Sequence, residues 1–359
     1  MHASQILSAF QSAGEILRLQ DVVARTGFGR SMCYRLLYTL DECGLLEKVA
    51  ENQYRLSLQK RSRRFRIGFS MQGQDPSFPR EVLAGLRLAA EQNSIELIVV
   101  DGRHSAKASF RNAEQLIRER VDLVIEFQTD QTAAAEIAGM YRAQNVQMIA
   151  VDIPHTGAPY FGANNHEAGL VAGRHLGRWA KLHWEGTSDA LLLMALARGG
   201  KSVGTRLRGV VDGLTEALGS AALPPIRTVE GGGQFGTALA AVRRQLHGLK
   251  GKRILIGAAN DASALGALRA FEEAGRGIHC VVVGHNASSE ARAEMRETRT
   301  RLIGSVAFFP EEYGENLIRL ALAVLEKKTV PAACFVRHKL ITPENVDHFY
   351  PNDPLLGSL

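Results

Sequence analysis

Two different periodicities divide the chain. Between Leu19 and Gly44 apolar positions recur at helical spacing: Cys33, Leu36, Leu37 and Leu40 share one face, while Ser31, Tyr34, Arg35 and Tyr38, at i, i+3, i+4 and i+7, share the opposite one. Glycines at 27 and 44 close two helical patterns. A short helix is predicted over residues 4–12 and another over 21–26, with Gly27-Phe28-Gly29 as the turn into a third. Apolar Leu45–Val49 and Tyr54–Leu58, separated by Glu51-Asn52-Gln53, predict a two-stranded wing.

From Phe65 the pattern changes to short continuous apolar runs alternating with amphipathic stretches. FRIGFS, IELIVVD, VDLVIEF and VQMIAVDIP are interleaved with helices predicted over 78–93, 108–120 and 131–144. After Tyr160-Phe161-Gly162 the alternation resumes through helix 165–182, ALLLMAL, helix 203–218, IRTVE, helix 237–248, RILIGAA, helix 262–274 and CVVVGHN. LIGSVAF, helix 311–327 and a final strand near CFVRHKL complete it. Continuous apolar runs of this length suit buried parallel strands covered by helices on both faces. The repeat predicts an α/β body of two doubly wound lobes with a cleft between them. Ligands of such sheets gather at the carboxyl ends of strands, where Asp101, Gln128, Asp152, Asn260 and Asn286 follow apolar runs.

Composition and charge then separate the two regions further. The 359 residues are 45% apolar, as in ordinary globular proteins. Of the net charge of +6, residues 1–66 carry five, with eleven Lys and Arg against six Asp and Glu. A basic head on a nearly neutral body suits a polyanion-binding module joined to something else. Lys60-Arg61-Ser62-Arg63-Arg64 joins the two, either as a solvated linker or as a segment that tracks phosphates. Cys33, Cys43, Cys280 and Cys334 are far apart and form no Cys-x-x-Cys, which argues for a reducing compartment and against a zinc site. The start of the chain lacks a basic region leading into an apolar run, and no stretch offers eighteen consecutive apolar residues. A cytoplasmic protein with no membrane partner is therefore expected.

The segment from Leu19 to Leu58 resembles the winged helix-turn-helix of IclR-type bacterial regulators, whose second helix typically reads Lys-Ser-Thr-x-x-Arg-Leu-Leu and is followed by a Gly-Leu-Leu wing. Arg30, Ser31, Tyr34, Arg35, Leu36 and Leu37 take the corresponding places, and Tyr54-Arg55-Leu56 closes the wing. The resemblance implies operator DNA as partner. It places Arg30, Ser31, Tyr34, Arg35 and Tyr38 at the groove, with Lys48 and Arg55 on phosphates. The body, about residues 66–345, resembles the type I periplasmic sugar-binding fold of ribose-binding proteins and of the effector domains of lactose-repressor-like regulators. GANNHEAGLVAGRHL at 162–176, TRLRGVVDGL at 205–214, GAANDASALGALRAF at 257–271 and VVVGHN at 281–286 carry that likeness. It implies ligand contacts from Asp75, Phe78, Asp152, Arg206, Phe235, Asn260, Asn286 and Phe308. Asp152, Arg206 and Asn260 would fix hydroxyls, and Phe78, Phe235 and Phe308 would stack on C–H faces. Asp152 and Asn260 could instead cap turns or helices, Arg206 could lie on a solvated face, and the three phenylalanines could be core.

The ribose-type pattern has Arg, Asp and Gln where this chain has Ile153, Asn286 and Phe308. A less polar or differently substituted sugar, or a polyol, is therefore expected rather than ribose. Gly231-Gly232-Gly233-Gln234-Phe235-Gly236 matches G-x-G-x-x-G, but it lies deep in the second lobe and the following strand ends without the ribose-binding acid. No nucleophile triad, zinc-protease or phosphate-loop motif accompanies it, so neither an enzyme nor a cofactor is expected. The divisions expected are a head at 1–58, a linker at 59–65, a sensor at 66–345 and a tail at 346–359. A homodimer matching a palindromic operator is the expected assembly. The competing reading is a solute-binding protein serving a sugar transporter.

Overall fold

The computed structural model describes residues 2–12, 14–57, 65–73 and 77–353. It divides into two compact units, 1–64 and 65–359.

The head contains α1 (His2–Ser8), β1 (Ile16–Arg18), α2 (Leu19–Thr26), α3 (Arg30–Glu42), β2 (Leu46–Ala50) and β3 (Gln53–Leu56). At the start of α2 the Arg18 N–H donates to the Asp21 carboxylate at 2.8 Å. The helix stops where Gly27, at φ +72°, turns its N–H back to the Val23 carbonyl. Ile6, Phe10, Val22, Cys33, Leu37, Leu40, Leu46 and Tyr54 close around one another as the head's core. β2 and β3 form the wing, turning at Asn52, and β3 pairs on its other side with β1. The sequence did not reveal β1, because three residues are too few to display an alternation. Leu58 and the basic run Lys60–Arg64 lie outside the described residues.

In the body, the first lobe is built from β4 (Arg66–Met71), α4 (Ser77–Gln92), β5 (Glu96–Asp101), α5 (Ala106–Arg118), β6 (Leu123–Phe127), α6 (Gln131–Ala143), β7 (Gln147–Val151) and β8 (Tyr160–Gly162). The chain then crosses into the second lobe. There follow α7 (Asn165–Trp184), β9 (Ala190–Ala195), α8 (Gly200–Leu218), β10 (Ile226–Glu230), α9 (Phe235–Gln245), β11 (Ile254–Ala258), α10 (Asp261–Glu273), β12 (Cys280–Asn286), α11 (Ser289–Met295) and β13 (Leu302–Ala307). It returns to the first lobe with α12 (Pro310–Leu325) and β14 (Ala333–Phe335), then crosses a third time to β15 (Lys339–Ile341) and α13 (Val346–Phe349). The two six-stranded sheets run β14-β8-β7-β6-β4-β5 and β10-β9-β11-β12-β13-β15. Their pairs are parallel apart from β13 with β15. Strand residues such as Ile67, Leu123, Leu191, Leu255 and Val281 are wholly buried, as continuous apolar runs require.

Three differences from the sequence reading have physical causes. The run CFVRHKL is two short strands in different sheets, and residues 336–338 make the crossing between them. Apolar periodicity marks a strand but not its partner. The helix α11, SEARAEM, has too few apolar residues to show a face. Residues 346–353, expected as part of a tail, place Val346 and Tyr350 in the second lobe's core, and Asp353 accepts from Arg292 Nε at 2.6 Å.

The helices α7 and α8 approach each other unusually closely. Glycines at 169, 173 and 177 face glycines at 209 and 213, each set spaced by four, and a Cβ at 169, 173, 209 or 213 would collide with backbone of the opposite helix. This contact holds one end of α8 against the start of α7, where Arg206 and Asn165 meet.

Candidate functional site

The carboxyl ends of the strands of both lobes converge on a narrow cleft. From the first lobe Gln72, Phe78, His104, Phe127, Gln128, Thr129 and Asp152 line it. Leu196, Arg198, Val203, Arg206, Gly233, Asn260 and Asn286 line it from the second. Of the expected ligand residues, Phe78, Asp152, Arg206, Asn260 and Asn286 are thus brought together. Phe235 and Phe308 do not line the cleft, and Asp75 lies outside the described residues. Phe235 opens α9 with its ring 43% exposed. Phe308 is 2% exposed beneath the cleft, with the Arg206 guanidinium 4.9 Å above its ring centre. It therefore supports the arginine and has no free face to offer a ligand.

Arg206 is buried and almost fully engaged by protein. Its Nε and Nη2 donate to Asn165 Oδ1 at 2.9 and 2.7 Å, and its Nη1 donates to the Ala259 carbonyl. Burial lowers its proton affinity while the charge of Asp152 raises it. Asp152 sits at φ +60° just past β7. Desolvation pushes its carboxyl up to about 6, against the opposing pulls of Arg206, the Tyr313 hydroxyl and the Ala163 N–H. At neutral pH it is a carboxylate held at some cost, a group whose oxygens accept from hydroxyl or N–H donors. Next to Arg206, buried His285 is pushed down to about 3 by desolvation and by the guanidinium. It stays neutral, consistent with Nδ1 lying 2.8 Å from the Ala258 carbonyl oxygen.

The second lobe's strand ends are held by local polar contacts. Asn260 both lines the cleft and caps α10: its Oδ1 accepts from Ser263 N at 3.1 Å, and its Nδ2 donates to the Gly233 carbonyl at 2.9 Å. Asn286, at φ +109°, ends β12. The turn after it is anchored by the buried Asp261 carboxyl, which accepts from Ser288 N at 2.7 Å and from Ser305 Oγ at 2.6 Å. Burial pushes Asp261 up to about 7. On the first lobe, Phe78 is braced from behind by Tyr313 and Phe127 in edge-to-face contacts at 5.5 and 6.4 Å.

Several lining residues were not singled out for ligand contact by sequence. Gln128 was marked by its strand-end position after β6 but given no ligand contact, and the same signal after β9 could have found Arg198. Asn165 gave no such signal, because only the approach of α7 to α8 makes it the partner of Arg206.

The glycine run 231–233 joins β10 to α9, with Gly233 on the cleft wall. The Glu230 carboxylate accepts from Gly232 N at 2.8 Å and Ala197 N at 2.9 Å. An acidic group therefore occupies donors that a pyrophosphate would need at this turn. Among the described residues no three His, Cys, Asp or Glu side chains gather as a metal site would need, and no helix is long and apolar enough to cross a membrane.

In the head, Arg30, Ser31, Tyr34, Arg35 and Tyr38 are all exposed on α3, Tyr34 by 51% and Tyr38 by 56%. Lys48 is exposed on the wing. Arg55 is exposed but paired: its Nε and Nη2 donate to the two Glu47 oxygens at 2.9 and 3.1 Å.

With this architecture, residues 67–329 match the periplasmic binding protein domain family, and the chain belongs to it. Residues 1–50 match the IclR helix-turn-helix domain, so the protein is a fusion of the two. Among solved structures, an ABC transporter solute-binding protein from Mycobacterium smegmatis with bound glycerol is similar over 79% of this chain and 96% of its own, at 19% identity and a TM-score of 0.72. A periplasmic solute-binding protein from Actinobacillus succinogenes with bound D-allose matches over 79% and 100% at 18% identity and TM-score 0.70. One from Bacillus halodurans with bound myo-inositol matches over 82% and 99% at 20% identity and TM-score 0.71. No curated protein matches the chain. The pairing of domains fits a ligand-binding regulator, and both domains and neighbours are of regulator and solute-binding types rather than enzymes.

Proposed function

We propose that this protein is a cytoplasmic, ligand-responsive transcription regulator that binds operator DNA through α3 and the wing and a sugar or polyol in the interlobe cleft. The observation that carries the reading is the joining, in one chain, of an exposed polar and aromatic helix face on a basic head to a cleft lined by one carboxylate, amides and aromatic rings. The ligands named for the structural neighbours, glycerol, D-allose and myo-inositol, support a polyhydroxyl compound. The head would work as residues 1–58, the basic segment 59–65 as connector and residues 66–345 as sensor. Two copies would pair, since a single small module buries too little surface for operator specificity. Closure of the lobes on ligand would favour one spacing of paired heads, and DNA would alter ligand affinity by the same factor.

Asp152 would accept ligand hydroxyls, with Arg206 setting its charge and position. Ser31, Tyr34 and Arg35 would reach base edges, and Arg30, Tyr38 and Lys48 would support the contact. The test pairs a thermal-shift screen of sugars and polyols with operator binding by Arg35→Ala and Asp152→Ala. Arg35→Ala should lose about 1–3 kcal/mol of specific binding, and Asp152→Ala should lose ligand response yet retain DNA. Normal operator affinity in Arg35→Ala contradicts the groove assignment. The transporter-protein reading, favoured by the neighbours' roles, is supported instead if the chain shows no retention on DNA at any salt concentration.

A further inference from the structure

The cleft contains a second arginine whose chemistry the polyol reading leaves unused. Arg198 lies in the short turn between β9 and α8, on the cleft wall. Its Nη1 donates to the His104 carbonyl of the first lobe at 3.3 Å, and its Nη2 donates to the Gly232 carbonyl of the second. The side chain therefore spans the gap between lobes at the ligand's own position. The turn is pressed against the first lobe at Gly200, where any Cβ would enter the Gln131 side chain.

Arg198 differs from Arg206 in what surrounds it. The Arg206 charge faces Asp152, and its Nε, Nη1 and Nη2 all donate to protein acceptors. Arg198 meets only neutral carbonyls and forms no ion pair with a carboxylate among the described residues. Glu230, whose carboxylate binds the residues beside Arg198 and its Gly232 partner, is exposed and directs its oxygens to the Ala197 and Gly232 N–H groups. The described lining thus carries two guanidinium groups against one carboxylate. A guanidinium has five N–H donors in a planar fork that matches carboxylate or phosphate oxygens. Only two of its nitrogens are engaged here, each by one carbonyl, so N–H donors of the fork remain for an acidic group on a ligand.

We propose that Arg198 recognises an anionic group on the effector, making the ligand a sugar acid or a sugar phosphate, and that this contact ties the lobes together. The inference rests on the cleft being the effector site. The anion takes the N–H donors of the fork that the His104 and Gly232 carbonyls leave free and supplies the charge the guanidinium lacks. Asp152 would accept from the hydroxyls at the other end of the same ligand.

The experiment is calorimetric titration of the full chain with matched pairs: D-gluconate against D-glucitol, D-galacturonate against D-galactose, and D-glucose 6-phosphate against D-glucose. At least one anion should bind tenfold or more tightly than its neutral counterpart, and the carboxylate and phosphate pairs identify which acid is read. Arg198→Met should abolish that preference, costing the anion at least tenfold more affinity than it costs the neutral partner, and Arg198→Lys should restore part of it. Equal loss for the anion and its neutral partner in Arg198→Met would make the residue only a lobe tie and overturn the proposal. If neutral compounds bind and anions do not, the anion assignment falls while the cleft reading stands. If no member of any pair binds, both fall together.

Discussion

The contact between α7 and α8 makes a quantitative prediction that separates close helix packing from intrinsic helix preference. In an exposed helix, replacing Gly with Ala stabilises by about 0.8–1 kcal/mol, because the glycine backbone loses more freedom on folding. Gly204, on α8 with nothing within 4 Å of where a Cβ would stand, should show that gain. At Gly173 a Cβ would lie 2.7 Å from Leu214 N and 2.8 Å from the Val210 carbonyl carbon, with the Val210 oxygen nearer still. Nonbonded heavy atoms pack at about 3.5–4.0 Å, so the helices must separate by about 1 Å, which forfeits a quarter to a half of each contact's attraction. These are backbone atoms and no rotamer change can relieve them, which places the cost at the upper end of overpacking, about 3 kcal/mol. Less the helix-preference gain, Gly173→Ala should destabilise the body by about 2 kcal/mol. Both tryptophans of the chain, Trp179 and Trp184, lie on α7, Trp179 stacked on His183 and edge-to-face with Trp184. Urea unfolding followed by their fluorescence therefore reports this helix without interference from the head. The midpoint should fall for Gly173→Ala and rise for Gly204→Ala at unchanged slope. Two midpoints moving in the same direction would refute the reasoning.

Three other perturbations test the sites. Glu47→Gln releases Arg55 from its carboxylate, so operator binding should strengthen and the logarithmic salt slope should steepen by about one; an unchanged slope in filter binding would mean Arg55 does not reach phosphate. Because Asp152 is pushed up to about 6, it protonates as pH falls through that value, and ligand affinity measured by calorimetry should drop between pH 7 and 5. Asp152→Asn should flatten the profile, and a persistent slope would assign the titration elsewhere. Wholly buried Glu126 is pushed up to about 8 from an ordinary 4.5 by desolvation, with Tyr141 OH donating to it at 3.0 Å. Below pH 4.5 both folded and unfolded chains hold that proton; above it only the folded chain does, so stability declines until about pH 8. Glu126→Gln should remove this decline, a gain over wild type with an upper limit of about 5 kcal/mol at high pH, and parallel stability curves would contradict it.

Local pattern read the architecture well wherever an element buries a whole face. The outer face of α3 and the strands β4, β6, β9, β11 and β12 were visible because each repeats its period several times. β1, β14 and β15 are three residues each, and the partners of the latter two lie more than 30 residues away in sequence, so no local window contains the pairing. The cleft was legible as a set of polar residues at strand ends, among them Asp152, Asn260 and Asn286. Side-chain direction was not. Phe308 resembles a stacking residue by position, yet it lies beneath Arg206; Phe235 sits at the opening of α9 with its ring toward solvent. Arg206 reads as a ligand contact, but the partner that fixes it, Asn165, is set by the packing of two helices and lies 41 residues away in the chain.

The three crossings between lobes also determine when the protein can be finished. Ribosomes deliver the chain from its amino end at about 5–20 residues per second, and β4 to β8 emerge early. Yet the strand that completes the first sheet, β14, and the helix that covers α4, α12, follow the whole run from α7 to β13. A nascent chain stopped at residue 309 holds most of both sheets with the β8 and β13 edges open and the apolar side of α4 uncovered. Neither lobe can be inherited or excised as an uninterrupted stretch of the gene. On the proposed reading, the cleft could therefore hold an effector only once α12 and β14 have followed the second lobe out of the ribosome, long after the proposed DNA-reading helix α3.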